Sequence, residues 1–306
     1  MSVDVIIVSY NTRELLRACL RSVFDTASDV EDLSVFVTDN ASTDGSAEMV
    51  VAEFPAVRLI RAKKNLGFGR ANNAAVAQGH SEYLLLLNSD ARLTPGTLQT
   101  LLDAMAEQPN CVALGPRLEY PDGRFQLSLR NRPTFARNLW VLTGLEARFH
   151  GHIPALDNWL TEAAHCDGQK VEMLSFACAL LRRGFWESLG GIDPNLFLYE
   201  EETDLFVPAL RGGFDVRYCA HATVVHEGGQ SVEQNDLGEF SAFHRYKSKY
   251  YVFRKHDGVF MAWLTYWTDR LIFARAALTA RLRGRPNPMV VQRRICPKAW
   301  RASFGD

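Results

Sequence analysis

The chain has 306 residues, 47% of them hydrophobic, and a net charge of −1. That length and apolar content suit one large domain or two closely joined ones, and exclude a disordered or fibrous chain. The charge is unevenly spread: Ser241 to Asp306 holds 14 lysines and arginines against three acids, so an acidic body carries a basic tail, which either meets an anionic partner or forms a solvated helix.

Val3–Val8 is a nearly continuous apolar run rich in β-branched residues, the pattern of a parallel strand covered on both faces. Thr12–Phe24 places Leu15, Leu16, Cys19, Leu20 and Val23 at helical spacing. Leu33–Thr38 reads as a second strand. Thr43-Asp44-Gly45-Ser46 then opens a second helix, with Ser42 or Thr43 as its N-cap. Val57–Ile60 is a third strand, Phe68–Gln78 an alanine-rich helix and Tyr83–Leu87 a buried strand. Thr94-Pro95 starts the next helix, with proline in its first turn. This alternation predicts an α/β sheet with helices on both faces.

Beyond about Gly115 the pattern loosens. Glu119–Leu129 reads as a hairpin around Pro121-Asp122-Gly123 and Val171–Leu181 as a return strand. Arg183–Gly190 and Glu202–Arg211 read as helices, Asp215–Cys219 and Thr223–His226 as short strands. Asn131–Gln169 shows little clear period. The six cysteines form no CxxC pair, which points to free thiols in a reducing compartment. The chain enters an apolar strand at Val3 with no basic region before it, so no signal peptide is read and a cytoplasmic setting is expected.

In open α/β sheets, ligands bind beyond the carboxyl ends of the strands. Polar and small residues recur there: Ser9-Tyr10-Asn11, Asp39-Asn40, Asn65-Leu66-Gly67-Phe68-Gly69 and Asn88-Ser89-Asp90. Each alone is most simply a turn; their convergence on one rim points to a site. Asp90 ends an apolar strand, where a carboxylate is costly unless it caps a turn, is paired or holds a cation. Mg²⁺ or Mn²⁺ commonly shares such oxygen ligands with substrate phosphates. Gly67 and Gly69 open a helix whose N-terminus suits a phosphate, but Asn72 occupies the third glycine position of a dinucleotide fingerprint. The run Glu200-Glu201-Glu202-Thr203-Asp204 is flanked by apolar and aromatic residues. Crowded carboxylates raise one another's pKa, which suits a general base; the alternative is a solvated helix start. His226 ends an apolar strand and either completes a metal site or is a structural histidine.

Taken in order, Val-Ser-Tyr-Asn (8–11), Thr-Asp-Asn-Ala-Ser-Thr-Asp-Gly-Ser (38–46), Asn-Leu-Gly-Phe-Gly-Arg-Ala-Asn-Asn (65–73) and Leu-Leu-Leu-Asn-Ser-Asp (85–90) closely resemble family 2 glycosyltransferases, and within them the bacterial rhamnosyltransferase type. The likeness continues through residues 179–183, 190–193, 197–205 and His226. It implies a GT-A fold with a mixed central sheet, a divalent metal and an inverting single displacement. Residues 1–115 would form the half that binds the nucleotide sugar, 116–235 the acceptor-binding and catalytic half, and 236–306 a basic C-terminal helical tail. The resemblance implies that Asp39 meets the pyrimidine base and that Ser9, Tyr10 and Asn11 surround the nucleoside. Asn65, Gly67 and Asn72 would lie near the diphosphate. Asn88-Ser89-Asp90 stands in place of the DXD motif, with Asp90, and by likeness His226, toward the metal. Two positions depart from the family pattern. Asn88 replaces the first aspartate, and the catalytic Glu-Asp pair reads Glu201-Glu202, which puts the base on Glu202 or on Glu201.

The implied partners are a nucleotide-diphosphate sugar, with thymidine-diphosphate-rhamnose as the expected donor, and a glycan or lipid-linked acceptor. No nucleic acid is implied. Val259–Leu282 is strongly apolar, but Asp269, Arg270 and Arg275 in its middle argue against a membrane span. Thr265, Thr268, Asp269, Arg275, Thr279 and Arg283 form a narrow polar stripe, which suggests an interfacial helix at the inner face of the plasma membrane, or a helix packed on the domain. Two rival readings are open to the sequence. A nucleotidyltransferase would need a glycine-rich basic loop after Val8, which is missing. A catalytically silent nucleotide-sugar-binding relative is supported only by Glu202.

Overall fold

The computed structural model describes residues 1–26, 30, 32–228, 238–286 and 289–305. The first elements alternate: β1 (Ser2–Ser9), α1 (Arg13–Thr26), β2 (Asp32–Asp39), α2 (Ser46–Glu53), β3 (Arg58–Arg61), α3 (Phe68–Val76) and β4 (Tyr83–Asn88). There follow β5 (Ala91–Leu93), α4 (Thr97–Ala106), β6 (Cys111–Glu119), β7 (Phe125–Gln126), β8 (Leu129–Arg130), α5 (Phe135–Thr143) and α6 (Leu145–Phe149). The next are β9 (Met173–Leu174), β10 (Cys178–Arg182), α7 (Arg183–Ser188), α8 (Glu201–Arg211) and β11 (Asp215–His226). Helices α9 (Gly238–Asp257), α10 (Val259–Leu282) and α11 (Val290–Ala302) end the chain.

The main sheet runs β3-β2-β1-β4-β10-β6-β11-β5, with β7 paired to β6. The first four strands are parallel. β10 lies antiparallel between β4 and β6, β11 is parallel to β6, and β5 is antiparallel to β11. The sheet is therefore mixed, as the chain's second half required. The apolar run of β1 has a direct cause. Val3, Val5 and Ile7 face one core with Leu16 and Leu20 of α1, while Ile6 faces the other with Phe36 and Ala75. Both faces are covered, so alternation is lost from the sequence.

Four local expectations are corrected. The second helix starts at Ser46, not at a Ser42 or Thr43 cap: Gly45 is left-handed at φ 82°, and Asp44 Oδ1 accepts from the Ser46 amide and hydroxyl. The fourth helix starts at Thr97 and leaves Pro95 outside, because left-handed Gly96 redirects the chain after it. The return strand is broken into β9 and β10 by Ser175–Ala177, where Ser175 Oγ takes the Ala177 amide and Ala177 O takes the Asn88 amide. The two short strands near residue 220 are one strand, β11, with a register shift between Cys219 and Thr223.

Asp4 is the one acid inside β1, and it is buried. It pairs with Arg183 of α7 and accepts from the Ser81 amide and hydroxyl, joining the first strand to the helix after β10. Removing one member of a buried ion pair strands the other in a low dielectric. Asp4→Ala is expected to lower unfolding free energy by about 3–5 kcal/mol, measured by urea titration.

Candidate active site

The carboxyl ends of β1, β2 and β4, the loop before α3, the Ser175–Ala177 break, the end of β11 and the start of α8 enclose a cavity of about 290 Å³. Tyr10, Asn65, Gly67, Asn88, Asp90, Glu201, Glu202 and His226 line it. Ser9 and Asn72 do not. The Ser9 hydroxyl is fully buried against Thr12, which in turn donates to Ser89, and Asn72 donates back to the Phe68 carbonyl inside α3. Asn11 lies in the same rim at φ 51°; its Oδ1 accepts from the Thr43 amide, and its own amide donates to Ser42 Oγ. Asp39 sits behind the wall. Its Oδ2 takes the Ser42 amide, and its buried Oδ1 has no hydrogen-bond partner among the described residues.

The glycine loop is shaped by what faces it. Gly67 has φ 81°, and a Cβ there would lie 2.3 Å from the Phe197 carbonyl oxygen. That carbonyl accepts from the Phe68 amide at 2.8 Å, so the start of α3 is stitched to the loop before α8. Asn65 Oδ1 accepts from Gly67 N and from Asn40 Nδ2, each at 2.9 Å, which fixes the loop from the sheet side. Asn73 completes the seam by exchanging two hydrogen bonds with the Ile192 backbone.

Asp90 Oδ1 lies 3.3 Å from His226 Nε2. The other ring nitrogen, Nδ1, donates to Gln126 Oε1 at 2.8 Å. Because that amide oxygen can only accept, Nδ1 carries a hydrogen, which leaves Nε2 as the ring nitrogen that faces the carboxylate. A carboxylate oxygen and an imidazole nitrogen side by side at a cavity are ligand types that suit a hard or borderline cation. Among the described residues no group of three His, Cys, Asp or Glu side chains is placed to hold a metal, so a cation here would need further oxygens from a ligand.

The acidic run is not a solvated helix start. Tyr199 and Glu200 both have positive φ, 71° and 67°, and this strained pair turns the chain into α8 at the cavity wall. Glu201 is buried, and its Oε1 has no hydrogen-bond partner among the described residues. Burial, and next the charge of Glu202, push its carboxyl well above the usual range. Glu202 stays partly exposed, 3.5 Å from the Arg130 guanidinium. Arg130 also donates to Thr203 Oγ1, which itself donates to Glu200 Oε2 at 2.6 Å. Asp204 is turned away and held by His256 Nε2 at 2.8 Å and by Lys255. Lys255 also reaches Asp193 at 2.7 Å; despite burial, this bond and others keep Asp193 below the ordinary carboxylate range. The last turn of α9 thus clamps both ends of the segment from Asp193 to Asp204. Gln126 and Arg130 were not legible as site residues, since each is a lone polar side chain in a two-residue strand.

The mixed sheet, the flanking helices and the rim cavity define a GT-A glycosyltransferase fold. A model described as Glycosyl transferase family 2 matches residues 4–190, and the chain belongs to that family. The enzyme is therefore a glycosyltransferase. It is 31% identical over 278 residues to the N-acetylglucosaminyl-diphospho-decaprenol L-rhamnosyltransferase of Mycobacterium tuberculosis, covering 87% of this chain and 88% of that one. Among solved structures it is similar to a mannosyltransferase from Pyrobaculum calidifontis in complex with GDP-Man and Mn²⁺, with a TM-score of 0.60, 17% identity and coverage of 99% and 87%. It is also similar to GalNAc-T7 with UDP, GalNAc and Mn²⁺, with a TM-score of 0.59, 13% identity and coverage of 94% and 59%.

The raised carboxyl of Glu201 carries a linkage consequence. The unfolded chain releases the Glu201 proton in the ordinary carboxylate range and the folded chain only at higher pH, so stability falls as pH rises from that range toward the folded value. Glu201→Gln removes this loss. Its melting temperature is expected to match the parent near pH 4 and to exceed it by on the order of 2 °C or more at pH 8, read by calorimetry.

Proposed function

We propose that this enzyme moves an L-rhamnosyl group from thymidine-diphosphate-rhamnose to a lipid-linked saccharide during cell-surface polysaccharide synthesis, at the inner face of the plasma membrane. The observation that carries the reading is the near end-to-end likeness to the mycobacterial L-rhamnosyltransferase. The gathering of Asp90, His226 and Glu202 on one cavity supports it.

The Asp39 carboxylate, with Oδ1 unpartnered, would accept a hydrogen bond from the pyrimidine base. Tyr10 and Asn11 would flank the nucleoside, with Ser9 supporting them from behind. Asn65, Gly67 and Asn88 would border the diphosphate, and Asn72 would hold the helix behind it. Asp90 and His226 would hold Mg²⁺ or Mn²⁺, which when bound neutralises charge building on the leaving diphosphate. Glu202 takes the proton of the acceptor hydroxyl, which attacks the anomeric carbon on the face opposite the leaving group, so configuration inverts. Arg130 orients Glu202, whose extra methylene relative to aspartate would otherwise leave its carboxylate less fixed. Glu201, buried and less open to an acceptor than Glu202, serves as packing behind it.

Two measurements test these roles. Glu202→Gln is expected to lower kcat by about 10²–10⁴-fold, the usual contribution of a general base, while Glu201→Gln keeps most of the rate. Equal losses, or a fully active Glu202→Gln, would overturn the assignment. Asp90→Ala is expected to abolish the Mn²⁺-dependent part of thymidine-diphosphate-rhamnose binding in titration calorimetry; unchanged binding would remove Asp90 from the cation site.

A further inference from the structure

Helix α10 is amphipathic in the opposite sense to a helix that simply covers a core. Its polar residues Thr265, Thr268 and Asp269 face inward and are buried. Asp269 is neutralised there by Lys249 and accepts from the Tyr250 hydroxyl at 3.0 Å. Buried Phe273 and Ala280 lie on the same inward side, against α5, α9 and α11. The Thr265–Thr268–Asp269 part of the polar stripe is therefore a docking seam to the protein, in line with the packed-helix alternative, while Arg275 and Arg283 at its far end stay exposed.

The outward side is apolar. Phe260, Trp267, Leu271 and Leu278 recur at spacings of seven, four and seven residues, which places them along one line of the helix, with Trp263 and Leu282 on its shoulders. All six are exposed, Phe260 at 68% and Leu282 at 78%. Phe260 stacks on Trp263 at 6.2 Å and Trp263 meets Trp267 edge-on, so the aromatic rings form a row on the surface. At 24 residues the helix is roughly 36 Å long. No helix among the described residues is long and apolar enough to cross a membrane.

Charge selects the occupant. Between Gly258 and Pro286 there are five arginines and one acid, the buried Asp269. Arg275, Arg283 and Arg285 line a groove of about 810 Å³ between α5 and α10, beside the apolar line. A protein partner of mixed charge gains little from such a surface. An anionic bilayer satisfies both parts, taking aromatic and leucine side chains at the acyl boundary and guanidinium groups among the phosphates.

We propose that the outward face of α10 lies flat on an anionic phospholipid membrane, inserting the line Phe260–Trp267–Leu271–Leu278 and seating headgroup phosphates at Arg283 and Arg285. This deepens the proposed function, which needs a lipid-borne acceptor, by naming the surface that meets the membrane. The test uses the full chain with no donor or acceptor present. Wild type should sediment with vesicles of phosphatidylglycerol and phosphatidylcholine at low salt, stay in solution with pure phosphatidylcholine, and be released by high salt. Leu271→Glu/Leu278→Glu, at positions already in solvent, should bind about tenfold more weakly or less. Arg283→Glu/Arg285→Glu should lose the preference for anionic lipid. Both should keep the parent melting temperature and the parent rate on a short-chain, water-soluble acceptor. Failure of wild type to sediment, or vesicle binding unaltered in both variants, overturns the proposal. So does a concentration-dependent dimer that Leu271→Glu/Leu278→Glu abolishes without vesicle binding, which would assign the face to a second copy. Because vesicle binding is read without turnover, a failed rhamnosyl transfer sinks the transferase reading and leaves this one standing.

Discussion

The cleft depends on one close backbone contact, the approach of Gly67 to the Phe197 carbonyl, sealed by the Phe68 amide. No side chain fits between these two segments. The contact brings a loop built on the parallel strands against the entry to α8, so that residues from both parts of the sheet share one space. Asn65 and Asn40 hold the contact from the sheet side, and Asn73 holds it from the far side of α3. Each of these asparagines joins two backbone segments that would otherwise diverge. The site is rigid at its base because its hydrogen bonds are made by main chain and short side chains, which lose little entropy on being fixed.

Above that base, three carboxylates in four residues are sorted by environment. Burial raises the Glu201 carboxyl well above its ordinary range, Glu202 faces the cavity beside Arg130, and Asp204 is withdrawn into a cluster with Lys255 and His256. One helical turn thus supplies a buried packing group, a cavity carboxylate and an anchor. The anchor ties the cavity wall to the C-terminal helices. Lys255 bridges Asp204 and Asp193, so α9 ties the loop that precedes α8 to the first turn of that helix.

Much of this was legible in the sequence. β1, β2 and β4 announced themselves through apolar runs ending in polar residues, because strands covered on both faces cannot hide their composition. The rim residues Tyr10, Asn65, Asn88, Asp90 and His226 followed from strand ends alone. The second half was less legible for a physical reason. β9 and β10 are two strands in a single apolar stretch, and the break between them is set by Ser175 capping its own chain, which leaves no mark on hydropathy. Gln126 and Arg130 gain their roles from a hairpin and a two-stranded ribbon that bring them across space. The polar stripe of α10 was visible, but its direction was not, since a Lys249 partner on another helix decides that Asp269 points inward.

The place of β10 in the sheet bears on how the chain is made. Leu84–Leu87 of β4 emerge during synthesis long before Cys178–Arg182, the strand that covers their free edge. β6, although made earlier, reaches β4 only through β10. A nascent chain therefore carries an apolar, unpaired strand edge for much of its elongation, a template for pairing with other chains. A fragment that stops short of Cys178 is not a smaller sugar-nucleotide module but a sheet open along its most apolar margin, and it belongs with chaperones or in aggregates.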